Sequence, residues 1–244
     1  MKGDSTYARL QSLGRTVVFG LCRWEAAGFE RIPADGPAIV AANHVSYLDP
    51  PLLGTLSPRL IRFIAKRELF TLPMLGPLLG RFLRSIGTFP VERRRPDVRA
   101  VRESLRVLER GEVLGIFPEG TRNKLPSLAP FLDGVGWLAI KSRAPVIPVA
   151  IHGYLPLWRG SQWTRPGRLR ILCGEPLHFP ASQYPNGRKP FRAAATREVG
   201  RAIAALLEEA SVASFPLRRV TNGSMGEAAI PIAGEVAAER ASKG

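Results

Sequence analysis

Between residues 36 and 175, short apolar runs alternate with stretches whose apolar residues recur at helical spacing, and this alternation constrains the fold more than any other feature of the chain. Ala38-Ile39-Val40-Ala41-Ala42 is uninterrupted apolar sequence, which reads as a buried strand, and it ends at Asn43-His44. A helix is expected from near Ser46, a capping residue, through Leu56. Residues 61–65 predict a second strand, 74–84 a helix and 88–91 another short strand. Val98, Val101, Leu105 and Leu108 recur at helical spacing, and Gly111 supplies the stop. Residues 113–117, 146–151 and 169–173 predict strands; 131–143 predict a helix and 192–210 a closing one. The expected fold class is therefore α/β, a single domain with a mixed sheet flanked by helices. Loops that follow strand ends are then the places for chemistry.

The flanks read differently. Residues 7–24 place Leu10, Leu13, Val17, Leu21 and Trp24 at helical spacing beside Arg9, Arg15 and Arg23, and residues 69–89 mix Leu72, Leu75, Leu79 and Phe82 with Arg81 and Arg84. An apolar face edged by arginine suits a helix lying in a membrane surface, although a core-facing amphipathic helix carries the same pattern. Residues 1–28 are accordingly expected to form an N-terminal amphipathic, interfacial segment, 29–212 the main domain, and 213–244 a mobile tail. The chain has 35 Lys+Arg against 20 Asp+Glu, a net charge of +15, which favours anionic partners. Nucleic acid ranks low among them, because zinc-finger spacing, recognition aromatics and a basic helix are all missing from the sequence. Cys22 and Cys173 form no C-x-x-C pair and His44, His152 and His178 are scattered, so no metal is expected. Without a run of about 18 apolar residues or a signal-peptide core at Met1–Tyr7, the expectation is a peripheral protein on the cytoplasmic face of a membrane.

Two constellations bear on function. In Asn43-His44-Val45-Ser46-Tyr47-Leu48-Asp49 a strand–turn–helix reversal can bring His44 and Asp49 together. A carboxylate that accepts a hydrogen bond from one imidazole nitrogen fixes the tautomer, and the other nitrogen can then take a proton from a hydroxyl. That is a base with its orienter but without a serine, so a substrate would supply the attacking oxygen. A turn histidine followed by a helix-start acid gives the same spacing. The second constellation is Phe117-Pro118-Glu119-Gly120-Thr121-Arg122, in which a strand delivers an acid, a glycine, a hydroxyl and an arginine to one turn. Gly120 permits close backbone approach, while Arg122 and Thr121 can grip phosphate oxygens. Glu119 could orient Arg122 or bind a glycerol hydroxyl; a structural turn with a Glu–Arg pair is the plainer alternative. In Gly87–Arg95, Arg93 is nearest the strand and the best phosphate-binding candidate of that basic loop.

Together with Val146–Ile151, these stretches in this order resemble the glycerolipid acyltransferase family, whose best-known members acylate lysophosphatidic acid. The similarity runs from about Phe29 to Gly153, and its most specific parts are His44-x₄-Asp49 and Phe117–Arg122. The resemblance implies His44 as general base and Asp49 as its orienter. It implies Arg93, Glu119, Gly120, Thr121 and Arg122 as the acceptor-phosphate site. The implied co-substrate is an acyl-CoA or acyl carrier protein thioester, attacked directly, with no cofactor. The implied partners are a lyso-glycerophospholipid and an acidic phospholipid surface. One departure is that the family often has a lysine after the Pro-Phe pair, whereas Leu132 and Asp133 follow Pro130-Phe131 here. Another lyso-lipid or glycolipid acceptor, or a non-catalytic lipid-binding relative, is the alternative.

Overall fold

The structure is a computed structural model and describes residues 23–66, 80, 88–91, 98–123, 128–153, 168–180, 182–184 and 189–212. Seven strands, β1 (Arg23–Ala27), β2 (Ala38–Ala42), β3 (Ile61–Lys66), β4 (Phe89–Val91), β5 (Val113–Ile116), β6 (Val146–Gly153) and β7 (Arg168–Cys173), form one sheet in the order β1-β7-β6-β2-β5-β3-β4. The described helices are α1 (Asp49–Leu56), α2 (Val98–Glu109), α3 (Gly134–Ser142) and α4 (Lys189–Ser211). From β6 to β4 all neighbours run parallel, while β6 and β7 are antiparallel and β1 runs parallel to β7. The expected α/β class with a mixed sheet and flanking helices is what forms.

Both faces of the sheet are covered. On one, Val40, Ala42, Val113, Val149 and Ile151 pack with Leu52 and Leu53 of α1. On the other, Ile39, Ala41, Leu114 and Val146 pack with Val107 of α2, Val135 and Leu138 of α3, and Val199 and Ile203 of α4. Because β2 lies between two parallel neighbours and is covered on both faces, all five of its residues are buried, and only an uninterrupted apolar run satisfies that position. Parallel strands end at a common edge, so the segments that leave β2 and β5 emerge side by side there.

Several boundaries differ from expectation, most by one to three residues. The end of the 1–28 segment is a strand: Arg23–Ala27 pairs with β7, and Glu25 forms a 2.8 Å ion pair with Arg170 of that strand. Residues 1–22, most of 67–87 and the tail 213–244 lie outside the described residues. Helix α1 begins at Asp49 rather than near Ser46, because Pro50 and Pro51, which lack N–H groups, fit only its first turn. Helix α3 begins at Gly134 rather than 131, since the Leu132 N–H donates to the Pro118 carbonyl (2.9 Å) and holds that stretch as a loop.

Gly115 in β5 links the core to the site. A Cβ there would stand 2.3 Å from the Phe63 ring and 2.7 Å from Ile61. The Phe63 ring occupies that space and stacks on Phe117 at 5.8 Å. Gly115→Ala should therefore lower stability by about 1–3 kcal/mol through overpacking, read as a lower urea midpoint with an unchanged m-value.

Candidate active site

The site is assembled where β2 and β5 end. Asn43, the first residue beyond β2, is only 4% exposed. Its side-chain amide donates to the Ile151 carbonyl (2.9 Å) and accepts from the Ile151 N–H (2.7 Å). The side chain thus continues the β2–β6 ladder past the Ala42–Val149 pair and fixes where His44 leaves the sheet.

His44 Nδ1 lies 2.8 Å from Asp49 Oδ2, with both residues buried. The same oxygen also accepts the Val45 and Ser46 N–H groups, each at 2.8 Å. Two backbone N–H groups already donate to Oδ2, so this oxygen is an acceptor; the tautomer that completes its contact with the ring has the proton on Nδ1 and leaves Nε2 for proton exchange. The turn between them is closed by the Leu48 N–H, which donates to Ser46 Oγ (3.2 Å). Asp49 therefore does not merely begin α1; it draws the loop around itself and aims the imidazole. The ring is held on one face by Phe117, with centroids 4.1 Å apart and planes at 21°.

The loop after β5 is bonded to this turn. Glu119, 6% exposed, uses both oxygens on backbone: Oε1 accepts from the His44 N–H (2.9 Å) and Oε2 from the Ala129 N–H (3.0 Å). It is thereby a positioning residue for His44, a job that its local sequence did not announce. The Asn123 N–H donates to the His44 carbonyl at 2.7 Å. Gly120 has φ +69°, and a Cβ there would stand 2.8 Å from Leu132 Cδ1, so this turn needs glycine. Thr121 is exposed beside it. Arg122 Nη2 donates to the Tyr47 hydroxyl at 2.6 Å, and its guanidinium carbon lies 3.4 Å over the Tyr47 ring.

His44, Asp49, Glu119, Gly120, Thr121 and Arg122 thus belong to two loops joined by hydrogen bonds and ring contacts. Arg93 lies outside the described residues. Asn43, Tyr47 and Phe117 join the set although the sequence reading gave them no role; a buried asparagine beside the histidine was the available signal for the first. Cys173, the free thiol in β7, is buried, and burial together with the negative charge of Glu30 pushes its pKa far up, which makes it a poor nucleophile. A groove of about 390 Å³ lies between residues 128–133 and α4, lined by Leu128, Phe131, Ala193, Arg197 and Gly200 among others. It contains none of the His44 set. Among the described residues no cluster of His, Cys, Asp or Glu is placed to hold a metal ion, and no helix is long and apolar enough to cross a membrane.

A buried imidazole–carboxylate pair joined to an arginine-bearing turn suits proton removal from a hydroxyl on a charged substrate. The family model described as Acyltransferase matches residues 23–152, more than half of the chain, and the chain belongs to that family of O-acyltransferases. It is similar to 1-acyl-sn-glycerol-3-phosphate acyltransferase of Bacillus subtilis (strain 168), 33% identical over 61% of this chain and 71% of that one. It is also similar to the alpha enzyme of that name from Mus musculus, 32% identical over 69% of this chain and 59% of that one. Against the chloroplastic relatives BAT2 of Brassica napus and LPAT1 of Arabidopsis thaliana, the chain spans 47% and 42% of their lengths. The crystal structure of the 1-acyl-sn-glycerophosphate (LPA) acyltransferase PlsC from Thermotoga maritima matches with a TM-score of 0.69 and 27% identity, covering 86% of this chain and 81% of that one.

The two bonds of Glu119 give a direct test of its positioning role. Glu119→Gln places an NH₂ group against one of its two backbone N–H donors, the buried one of His44 or the part-buried one of Ala129. Unfolding free energy should fall by about 1–3 kcal/mol, measured by urea denaturation.

Proposed function

We propose that this chain transfers a fatty acyl group from a thioester, acyl-CoA or acyl carrier protein, to the hydroxyl of 1-acyl-sn-glycerol 3-phosphate, making phosphatidic acid at the cytoplasmic face of a membrane. The observation that carries this reading is the 2.8 Å contact between His44 Nδ1 and Asp49 within the loop pair that also bears Arg122. The names of the relatives supply the acceptor class.

In the proposed reaction, Nε2 of His44 removes the proton from the acceptor hydroxyl while its oxygen bonds to the thioester carbonyl carbon. The C–S bond then breaks, and the leaving thiolate takes the proton from the imidazolium. Asp49 stabilises that cation without accepting its proton, because its oxygen is held by the two backbone N–H groups. Arg122 and Thr121 hold the acceptor phosphate, with Arg93 as a second cation, and Gly120 lets the lipid headgroup approach the backbone. Glu119 serves by fixing the His44 backbone. The net charge of +15 favours residence on an acidic lipid surface, where each nearby cation contributes about 1 kcal/mol.

Purified protein should acylate 1-acyl-sn-glycerol 3-phosphate, in an assay offering both donors and a panel of lyso-lipids. The panel matters because Leu132 stands beside Gly120 where the family often has a lysine. His44→Ala should lower the transfer rate by about 10²–10⁴-fold while circular dichroism stays native. A folded His44→Ala protein with near-normal transfer would refute the assignment. Binding to vesicles containing acidic phospholipid should weaken steadily as salt is raised, measured by co-sedimentation; binding indifferent to salt would remove the electrostatic part of the reading.

A further inference from the structure

Tyr47 is 66% exposed, an unusual place for a large aromatic that buries nothing of the core. What it does carry is Arg122. The guanidinium carbon lies 3.4 Å over the ring centroid, and Nη2 donates to the phenol oxygen at 2.6 Å. A guanidinium has five N–H donors in a plane. The ring contact uses no N–H and the hydroxyl uses one donor, which leaves further donors for phosphate oxygens. The tyrosine is itself fixed, since it sits in the turn whose Val45 and Ser46 N–H groups are bound by Asp49 Oδ2. The far side of the contact is fixed as well, because the Asn123 N–H next to Arg122 donates to the His44 carbonyl.

We infer that Tyr47 is a positioning residue for acceptor recognition: it holds the Arg122 guanidinium over its ring and by its hydroxyl, and so presents the remaining donors to the acceptor phosphate at a set distance from His44. The inference rests on the proposed function above. Without Tyr47 the arginine keeps its charge and loses its fixed orientation, so the effect falls on acceptor binding rather than on the proton transfer at His44.

The test is steady-state kinetics with 1-acyl-sn-glycerol 3-phosphate and acyl-CoA or acyl carrier protein, whichever donor the wild type uses. Tyr47→Phe, which keeps the ring and loses the hydroxyl, should raise acceptor KM about 2–10-fold, and Tyr47→Ala about 10–30-fold, with kcat within about twofold of wild type. In an Arg122→Ala background, Tyr47→Phe should add no further rise in KM, because its target is gone. A wild-type KM in both tyrosine variants, a fall in kcat at constant KM, or equal losses with and without Arg122 would overturn the inference and leave the functional reading standing. A wild-type protein that acylates no phosphate-bearing lyso-lipid would overturn both.

Discussion

One carboxylate oxygen organises the site. Asp49 is 1% exposed, and a buried charge is tolerated only where donors replace the water it has lost. Here the donors are the His44 ring and the N–H groups of Val45 and Ser46, all on Oδ2. The same three bonds have separate consequences for function. They set the tautomer of the imidazole, shape the turn ahead of α1, and carry Tyr47 to the position where Arg122 rests on it. An uncharged apolar residue at position 49 would remove all three effects together and take the shared acceptor from two backbone donors in a part-buried turn. The proposed base and the ring on which Arg122 rests therefore belong to one turn, although Arg122 itself comes from the loop after β5.

Sheet order supplies what the turn cannot. His44 and Glu119 are 75 residues apart, and they touch because β2 and β5 are parallel neighbours that end at the same edge. Asn43 adds a bond to Ile151 on the other neighbour, 108 residues away. The histidine backbone is thus braced from both sides of the central strand before its side chain does anything. A pendant loop would lose orientational freedom only on binding substrate; this one has lost it on folding, which is how a sheet contributes to catalysis at its edge.

Much of this was legible in the chain and some was not, for identifiable reasons. Strand β2 was readable to the residue, because a strand buried on both faces leaves no choice but five apolar residues. His44 and Asp49 were readable because their contact is local. Strand β1 was not: the helical spacing of Leu10, Leu13, Val17 and Leu21 extends to Trp24, while the partner that makes Arg23–Ala27 a strand lies near residue 170. Glu119 was read as a ligand for Arg122 or for substrate, yet its bonds run to the N–H groups of His44 and Ala129, which only the tertiary fold brings near. The start of α1 was misplaced because Ser46 looks like a cap, whereas the neighbouring Pro50-Pro51 pair and the reach of Asp49 decide the matter.

The aromatic column behind the histidine ties the interior to the chemistry. Phe63 of β3 stacks on Phe117, and Phe117 stacks on the His44 ring. A flat apolar face against the imidazole keeps water from that side and resists rotation of the ring. Both effects strengthen the Nδ1–Asp49 hydrogen bond, since a charge-assisted bond gains from low local dielectric once its partners are satisfied. The column exists only because position 115 has no side chain: with a Cβ there, Phe63 could not lie where Phe117 needs it. A glycine in the middle of a buried strand costs stability in isolation. Its place in β5 is explained by what stands two rings away, the His44 imidazole.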